Sequence, residues 1–309
     1  MATPALIDTD MGIDDAVALC LLGAHEAVDV RAIVGVGGNV EIDQVMKNIA
    51  RVLDAIAPKQ TPAIGIGLDQ TGAALMDRRA SFGHDGLGEC ELGAGAPIRA
   101  DPFQDVYRRA LESAADDLTI LATGPLTNLA AVYAESPDLL RRARRIVISG
   151  GAVWTAGNVR GLAEFNFYRD PPAAARILAS GLPLTVVPLD VTRLVCLDES
   201  HAAHIASSGF RTGQLLARVL RHCLDHESEP GLGKSHVQDA VAAASILWPD
   251  LFLKTRTRLE VVTAGPEAGR CRPQLGSDPQ QRVDLLTAVN AVDLLENLLE
   301  SLCHEAFVV

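Results

Sequence analysis

Short apolar runs that end in polar residues recur along the chain, and helical segments separate most of them. We interpret these runs as buried strands. They cover residues 5–7, 28–36, 118–123, 145–149 and 184–188. Strands that alternate with helices are typical of an α/β fold, so we expect an open, mainly parallel sheet with helices on both faces.

The segments between the strands carry the helix signals. Pro58 ends one helical segment, and Pro125 suits the first turn of another. The predicted helices cover residues 14–25, 42–56, 126–134, 172–179 and a leucine-rich segment at 291–303. A chain of 309 residues fits one large α/β domain, and we treat residues 1–309 as such. Two loop-like stretches, 68–96 and 225–235, are candidate binding loops or lids.

The charge balance disfavours some partners. The chain has 39 acidic and 27 basic side chains, a formal net charge of −12, which argues against binding to nucleic acid or to an anionic membrane. Its apolar stretches are interrupted before about 18 residues, so no transmembrane helix is expected. The first residues lack the basic region of a signal peptide, and the six cysteines form no Cys-x-x-Cys pair. These features predict a cytoplasmic protein with reduced thiols.

Polar residues and glycines directly follow several of the predicted strands. In a parallel sheet the carboxyl ends of the strands meet at one edge, and ligands bind there at a switch in strand order. The residues at this edge are Asp8, Asp10, Gly38, Asn39, Thr123, Gly124, Gly150, Gly151 and Asp190. Their convergence predicts an active site at the carboxyl edge of the sheet.

Four carboxylates, those of Asp8, Asp10, Asp14 and Asp15, lie within eight residues at the junction of the first strand and helix. Carboxylates packed this closely repel one another unless a proton or a cation neutralises them. A hard divalent cation, Ca²⁺ or Mg²⁺, with oxygen ligands explains the cluster best. Asp14 or Asp15 could instead only cap the helix. The cluster by itself also fits a metal-dependent phosphatase.

The chain around this cluster resembles the nucleoside hydrolases, the inosine–uridine preferring family of N-ribohydrolases. The matching segments are Asp8-Thr9-Asp10-x-Gly12-x-Asp14-Asp15, Gly38-Asn39-Val40, the stretch from Ala122 to Ala130, Gly157-Asn158-Val159, Ala163-Glu164-Phe165-Asn166, Asp170-Pro171 and Pro188-Leu189-Asp190-Val191-Thr192. The resemblance runs along nearly the whole chain. It implies a Rossmann-like nucleoside hydrolase fold, Ca²⁺-dependent hydrolysis of ribonucleosides to free base and ribose, and a homodimer or homotetramer.

The resemblance also implies a metal centre. By position, the Ca²⁺ ligands would be Asp10, Asp15, the backbone carbonyl of Thr123, and Asp239. Carboxylates and a carbonyl form an oxygen shell of the type that calcium accepts. Asp14 would be the general base that deprotonates a metal-bound water.

The ribose of the substrate would contact a second set of residues by the same resemblance. These are Asn39, Asn158, Glu164 and Asn166. Amides and a carboxylate suit hydroxyl groups, which both donate and accept hydrogen bonds. Taken alone, Asn39 reads as a turn residue, and Glu164 and Asn166 read as members of a solvated loop. Asp8 would support the metal ligands through hydrogen bonds.

Two departures from the family pattern affect the expected substrate. Phe82 and Gln238 stand where many members have histidines, and neither side chain can act as a general acid near neutral pH. Phe82 could stack on the base and favour a purine, or it could only pack beneath the glycine-rich loop. Other candidate acids are His222, His226, Lys234 and His236.

The departures leave alternative functions open. A riboside-binding protein could keep the metal site and lose turnover, and a hydrolase could act on an atypical riboside. A Mg²⁺-dependent phosphohydrolase is disfavoured because the sequence has no Gly-x-x-x-x-Gly-Lys-Ser/Thr phosphate loop. We therefore expect a ribonucleoside hydrolase with a leaning toward purines.

Overall fold

A computed structural model describes residues 2–58, 60–69, 82–90, 92–226, 233–274 and 282–304. Its main feature is a 10-stranded sheet in the order β11-β10-β12-β7-β6-β5-β1-β2-β3-β4. The strands are β1 (Thr3–Thr9), β2 (Val28–Gly35), β3 (Ala63–Ile66), β4 (Ala100–Pro102), β5 (Thr119–Ala122), β6 (Arg145–Ser149), β7 (Leu184–Val187), β10 (Phe252–Val261), β11 (Cys271–Gln274) and β12 (Val283–Val289). A separate antiparallel pair consists of β8 (Cys196–Asp198) and β9 (Lys234–His236).

Strand β1 is the point at which the order of the sheet reverses. The chain runs from β1 through β2 and β3 to β4 on one side, then returns to β5 on the other side of β1. The pairs from β4 through to β12 are parallel, whereas β10 and β11 are antiparallel. The prediction of an open, mainly parallel sheet is confirmed. The carboxyl ends of β1 and β5 flank the switch point, which is where ligands bind in such sheets.

Helices cover both faces of the sheet. They are α1 (Ile13–Gly23), α2 (Ile42–Ile56), α3 (Phe103–Ser113), α4 (Thr127–Glu135), α5 (Pro137–Leu140), α6 (Phe165–Arg169), α7 (Pro171–Leu178), α8 (Leu189–Thr192), α9 (Glu199–Ser207), α10 (Arg211–His226), α11 (Gln238–Leu247) and α12 (Ala291–Leu302), with a 3₁₀ turn at Pro249–Leu251. Successive strand residues alternate between two hydrophobic clusters, as Leu6 and Ile7 do in β1. Side chains of a strand point alternately to its two faces, so each cluster is the core on one face.

The predicted element bounds agree closely for the central elements. The ranges 145–149 and 42–56 are observed unchanged as β6 and α2, while α1 begins one residue and ends two residues earlier than expected. Of the two loop-like stretches, residues 70–81, 91 and 227–232 lie outside the described residues. The second stretch also overlaps the end of α10 and the start of β9, which the prediction of a loop missed. Within the ranges given above, no helix is both long and apolar enough to cross a membrane.

Candidate active site

A strained turn at the end of β1 positions the acidic cluster. Met11 has φ of 36°, a left-handed conformation that non-glycine residues rarely adopt. Two side chains hold it: the hydroxyl of Thr9 accepts the Met11 N–H at 3.0 Å, and the amide of Asn48 donates to the Met11 carbonyl at 3.2 Å. A backbone in this region costs about 1–3 kcal/mol and persists when its surroundings over-determine it. The turn lets Asp10 at the strand end and Asp15 in the first helical turn approach each other.

Asp15 is held from three directions. The hydroxyls of Thr9 and Thr123 both donate to its Oδ1 at 2.6 Å, and the Gly12 N–H donates to its Oδ2 at 2.8 Å. Thr9 ends β1 and Thr123 follows β5, so one carboxylate joins the two strands at the switch point. The Gly12 contact is a helix cap, as the alternative interpretation expected. Capping uses one oxygen, and Asp15 still lies among the other acidic groups.

Asp10 is oriented by Asn39. The backbone N–H and the side-chain amide of Asn39 donate to the two carboxylate oxygens of Asp10, at 2.7 and 3.0 Å. Burial, reinforced by the charge of Asp15, raises the pKa of Asp10 well above its ordinary value. Asn39 is therefore more than the turn residue that it suggests in isolation, because it fixes an acidic side chain.

A further carboxylate, that of Asp239, comes from a distant part of the chain. Asp239 lies in the first turn of α11, which packs against α1. Asp14, Asp15 and Asp239 each place one carboxylate oxygen so that the three oxygens lie within 4.8 Å of one another. Burial, together with the charges of Asp14 and Asp15, raises the pKa of Asp239 well above its ordinary value. Convergent carboxylates with raised pKa values need either protons or a cation.

The donor set fits a hard divalent cation. All the groups around the cluster are oxygen ligands of the kind that Ca²⁺ takes. In addition, the amide oxygens of Asn39 and Asn158 are buried and have no hydrogen-bond partner among the described residues. A buried acceptor without a partner costs free energy. The two oxygens can therefore accept hydrogen bonds from a bound ligand or from water.

Glu164 and Asn166 are buried, which the isolated interpretation of a solvated loop did not expect. The Glu164 carboxylate accepts the N–H groups of Gly151, Asn166 and Phe167 at 2.8–3.1 Å, and so caps α6. The Asn166 amide donates to the carbonyls of Thr123 at 2.8 Å and Ser149 at 3.0 Å. It thereby links the ends of β5 and β6 and holds the Thr123 carbonyl, which keeps a second lone pair.

Phe82 and Gln238 occupy different environments. Phe82 is 8% exposed and belongs to the hydrophobic cluster on one face of the sheet, which favours the packing interpretation. Gln238 is half-buried and directly precedes Asp239 in α11. Of the other candidate acids, His222 and His226 stack with ring centroids 4.3 Å apart at the end of α10. Lys234 is exposed, and His236 is half-buried in β9.

Asp8 contacts both the helices and an expected metal ligand. Its carboxylate accepts hydrogen bonds from the Tyr107 hydroxyl at 2.7 Å and the Asn128 amide at 3.0 Å, on α3 and α4. Its backbone carbonyl accepts the N–H of Thr123 at 2.8 Å, so the hydrogen bond to an expected ligand comes from the main chain of Asp8 and not from its side chain. Burial raises the pKa of the Asp8 carboxyl to about 7, against the opposing effect of both donors.

Asp190, at the start of α8, accepts the backbone N–H groups of Val153 and Trp154 and so anchors the loop after β6.

Sequence reasoning missed four polar residues that support the site. They are Thr9, Asn48, Tyr107 and Asn128. A signal existed for Asn48, which lies three residues after Val45 and one before Ile49 on the apolar stripe of α2. A polar residue on a buried stripe requires a hydrogen-bond partner.

We expect Gly38→Ala to impair the site without unfolding the chain. A Cβ at position 38 would lie 2.1 Å from Oδ2 of Asp10, so the carboxylate must move. Loss of such ligand support typically costs about 10–100-fold in metal affinity or activity. Metal titration and steady-state assays measure the effect. Gly93→Ala is the matched control, since nothing lies within 4 Å of a Cβ there, and equal behaviour of the two variants would contradict the prediction.

Comparisons with known proteins agree with this geometry. The family model described as inosine-uridine preferring nucleoside hydrolase matches residues 5–296. The pyrimidine-specific ribonucleoside hydrolase RihA of Citrobacter koseri is 31% identical over 269 residues, which are 86% of each chain. A plant nucleoside hydrolase structure has a TM-score of 0.92 at 24% identity and covers 98% of this chain and 99% of its own. The purine-preferring ribonucleoside hydrolase from Gardnerella vaginalis has a TM-score of 0.90 at 24% identity, with 99% and 100% covered.

Proposed function

The chain belongs to the inosine–uridine preferring nucleoside hydrolases, enzymes that hydrolyse N-glycosyl compounds, and from that premise we propose a Ca²⁺-dependent hydrolase with a leaning toward purine ribonucleosides. The observation that carries the proposal is the convergence of carboxylates from the starts of α1 and α11, close to Asp10, which follows β1 at the switch point of the sheet.

Calcium is supported by the chemistry of the donors. Asp10, Asp15, the Thr123 carbonyl and Asp239 would hold it, with the ribose hydroxyls completing an oxygen shell of six to eight ligands, which is the usual range for this ion. When bound, the cation lowers the pKa of water and compensates the repulsion among the carboxylates. Mg²⁺ demands stricter octahedral geometry.

Asp14 is the proposed general base. It is half-buried, at the second position of α1, whereas Asp15 and Asp239 are buried. A carboxylate that borders both the cluster and the open side of the site can accept a proton from the attacking water. Water attacks the anomeric carbon as the bond to the base breaks, the water proton passes to Asp14, and the base leaves with the bonding electrons.

Ribose recognition is assigned to Asn39, Asn158, Glu164 and Asn166. The acceptor oxygens of Asn39 and Asn158 that lack a protein partner support contacts with ribose hydroxyls. Glu164 and Asn166 use several of their hydrogen-bonding positions on backbone groups, so their orientation is fixed before substrate binds. Fixed hydrogen-bonding groups reduce the entropy lost on binding and help to position the sugar.

The purine preference rests on the missing imidazoles. A leaving base needs a proton or another source of stabilisation, and Phe82 and Gln238 cannot donate one as an acid. A purine can be protonated by solvent on its imidazole ring, a route that pyrimidines lack. The names of similar proteins point both ways, since RihA is called pyrimidine-specific and the Gardnerella enzyme purine-preferring. The proposal therefore depends on the residues of this chain.

A riboside panel tests the proposal. We expect the Ca²⁺-loaded protein to release ribose from inosine, guanosine and adenosine with kcat/KM at least about tenfold above that for uridine and cytidine. A difference of a single methylene in a substrate pocket is already worth about 1–3 kcal/mol, which corresponds to about 10–200-fold. Ribose release with a pyrimidine preference would reject the purine leaning alone. Absence of ribose release from every riboside, with metal bound, would reject hydrolysis of the common ribonucleosides and favour an atypical riboside or a riboside-binding protein.

The loop that carries Phe82 gives a further prediction, because Asp85 organises it. The Asp85 carboxylate accepts the N–H groups of Leu87 and Glu89 at 2.9 Å and pairs with Arg51 of α2 at 2.7 Å. We expect Asp85→Asn to raise KM severalfold and to change kcat little, since the loop lies beside the site and not in it. Kinetics on the preferred riboside measure this.

The same variant has a defined pH signature. Burial alone would raise the pKa of Asp85, but its hydrogen bonds with Arg51, Leu87 and Glu89 outweigh burial and lower it. A lowered pKa stabilises the fold above the unfolded pKa of about 4, and this contribution is lost as pH falls through the folded value. Wild type and variant should therefore differ in unfolding free energy at pH 7 and converge below about pH 4. Asp29→Asn, which removes an exposed carboxylate paired with Arg31, should change neither KM nor stability measurably.

Location and assembly complete the proposal. All six cysteines are free thiols, which supports a reducing, cytoplasmic compartment. Assembly as a homodimer or homotetramer is proposed from the family alone. Light scattering on the purified protein measures the mass of the assembly.

A further inference from the structure

A basic cavity lies at the amino edge of the sheet, the edge opposite the carboxylate cluster. Its volume is about 980 Å³, and the starts of β6, β7 and β12 contribute to its wall together with β10. The cations that line it are Arg141, Arg144, Arg145, Lys254, Arg256 and Arg282. Among the described lining residues only Asp284 is acidic. The chain as a whole carries a charge of −12, so this concentration of positive charge requires a local explanation.

Nearby carboxylates neutralise the cavity only partly. Asp284 is shared by Lys254 at 2.7 Å and Arg256 at 3.5 Å, and Asp117 pairs with Arg144 at 2.8 Å. Asp138, which is 94% exposed, pairs with Arg141. Arg282 has a partner of its own, and these three carboxylates face the other five cations. Exposed ion pairs of this kind are weak enough to exchange partners. A surplus of positive charge therefore remains over the cavity.

Arg145 is the cation most in need of a partner. It begins β6 and is half-buried, and in the part of the chain that the structure describes no carboxylate lies within ion-pair distance of it. Burial, followed by the charge of neighbouring Arg144, lowers the pKa of Arg145. Removing a guanidinium from water without pairing it is costly. The geometry of the cavity places this group where an incoming anion would meet it.

We infer that this cavity binds a small molecule that bears two or more phosphate groups. Guanidinium groups donate two parallel hydrogen bonds to phosphate oxygens, and several from different strands match a chain of phosphates. The volume lies at the upper end of the range for small-molecule pockets, about 300–1,000 Å³. Neither ribonucleosides nor their hydrolysis products carry phosphate, so this site is distinct in place and in ligand from the active site.

Calorimetric titration of the Ca²⁺-loaded protein with tripolyphosphate tests the inference. We expect one site per chain, binding at least about tenfold tighter than that of orthophosphate, and weakening with added salt because the attraction is ionic. Arg145→Gln should weaken binding at least about tenfold, since a charge-assisted pair at a half-buried position is lost. Arg256→Gln, on an exposed strand surface, should weaken it less and guards against misfolding of the first variant. A parallel titration with ATP identifies the source: tighter binding than tripolyphosphate assigns a nucleotide, and equal or weaker binding assigns inorganic polyphosphate.

Arg221→Gln is the matched control, because Arg221 is exposed and pairs with Glu199 outside the cavity. Polyphosphates also chelate divalent cations, but the three variants share an unchanged metal cluster, so their differences report on the cavity. The inference is wrong if tripolyphosphate does not bind to wild type at millimolar concentration, or if Arg221→Gln loses as much affinity as Arg145→Gln. It is also wrong if Arg145→Gln alters the mass of the assembly and leaves anion binding unchanged, since the face would then be a subunit interface.

Discussion

Replacement of Asp14 by asparagine is expected to reduce ribose release by about 10³-fold, within the range of 10²–10⁴ that general acid–base catalysis contributes. Asparagine has nearly the same shape and keeps one oxygen, so the neighbouring Asp15 and Asp239 retain their packing. It cannot accept the proton of the attacking water. The loss should appear in kcat, with KM changed much less, because proton transfer belongs to the transition state and not to binding.

The control for this variant is Asp54→Asn, the same change at an exposed position in the last turn of α2. It should leave kcat within a factor of about two. Calcium binding, measured by calorimetry, should persist in Asp14→Asn, because the proposed ligands Asp10, Asp15 and Asp239 are unchanged. If Asp14→Asn abolishes calcium binding instead, Asp14 is a ligand and another group must take the proton. Full activity in Asp14→Asn would remove its catalytic role altogether.

The carboxyl edge of the sheet could be predicted because its residues follow directly from strand ends. Asp10 comes after β1 and Thr123 after β5, and in a parallel sheet those ends must lie together. Asp239 could not be placed in this way. It begins a helix far along the chain, and only the packing of α11 on α1 brings it to Asp15. The resemblance to the family supplied it, whereas hydrophobic periodicity alone did not.

Supporting contacts were harder to predict than the acidic residues themselves. The hydroxyls of Thr9 and Thr123 reach Asp15 because β1 and β5 are neighbours, and threonine inside a strand is ordinarily interpreted as a residue with strand propensity. Tyr107 hydrogen-bonds Asp8 across 99 positions of sequence. Such long-range pairs depend on how helices settle on the sheet, which local patterns do not determine.

The antiparallel end of the sheet illustrates the same limit. Strands β10 and β11 were not predicted, and six of the ten residues of β10 are exposed, so it lacks the apolar run that marks a buried strand. The basic cavity beside it combines the start of β6 with β10, more than 100 positions apart. No single segment of the sequence carries its pattern.

Removal of calcium should both silence the enzyme and destabilise its fold. We expect treatment with a chelator to reduce ribose release to the background rate and to lower the melting temperature by about 5 °C. A ligand present at 100 times its Kd contributes about 2.7 kcal/mol, and in a chain of this size each kcal/mol corresponds to roughly 2 °C. Calcium should restore both properties, and Mg²⁺ should restore them less, since it demands a stricter coordination geometry.

The pH dependence of this stabilisation follows from Asp10 and Asp239, whose pKa values are raised by burial and by neighbouring carboxylates. In the metal-free protein they keep protons that the unfolded chain has already lost, so its stability falls as pH rises above the unfolded pKa of about 4. Bound calcium neutralises the ionised carboxylates, and protons are released when it binds. The difference in melting temperature between calcium-loaded and metal-free protein should therefore widen from pH 5 to pH 8.

Asp239→Asn should abolish this calcium-dependent shift in melting temperature, whereas Asp54→Asn should keep it. If the calcium-dependent shift in melting temperature is independent of pH, or if it persists in Asp239→Asn, the ion binds elsewhere in the molecule.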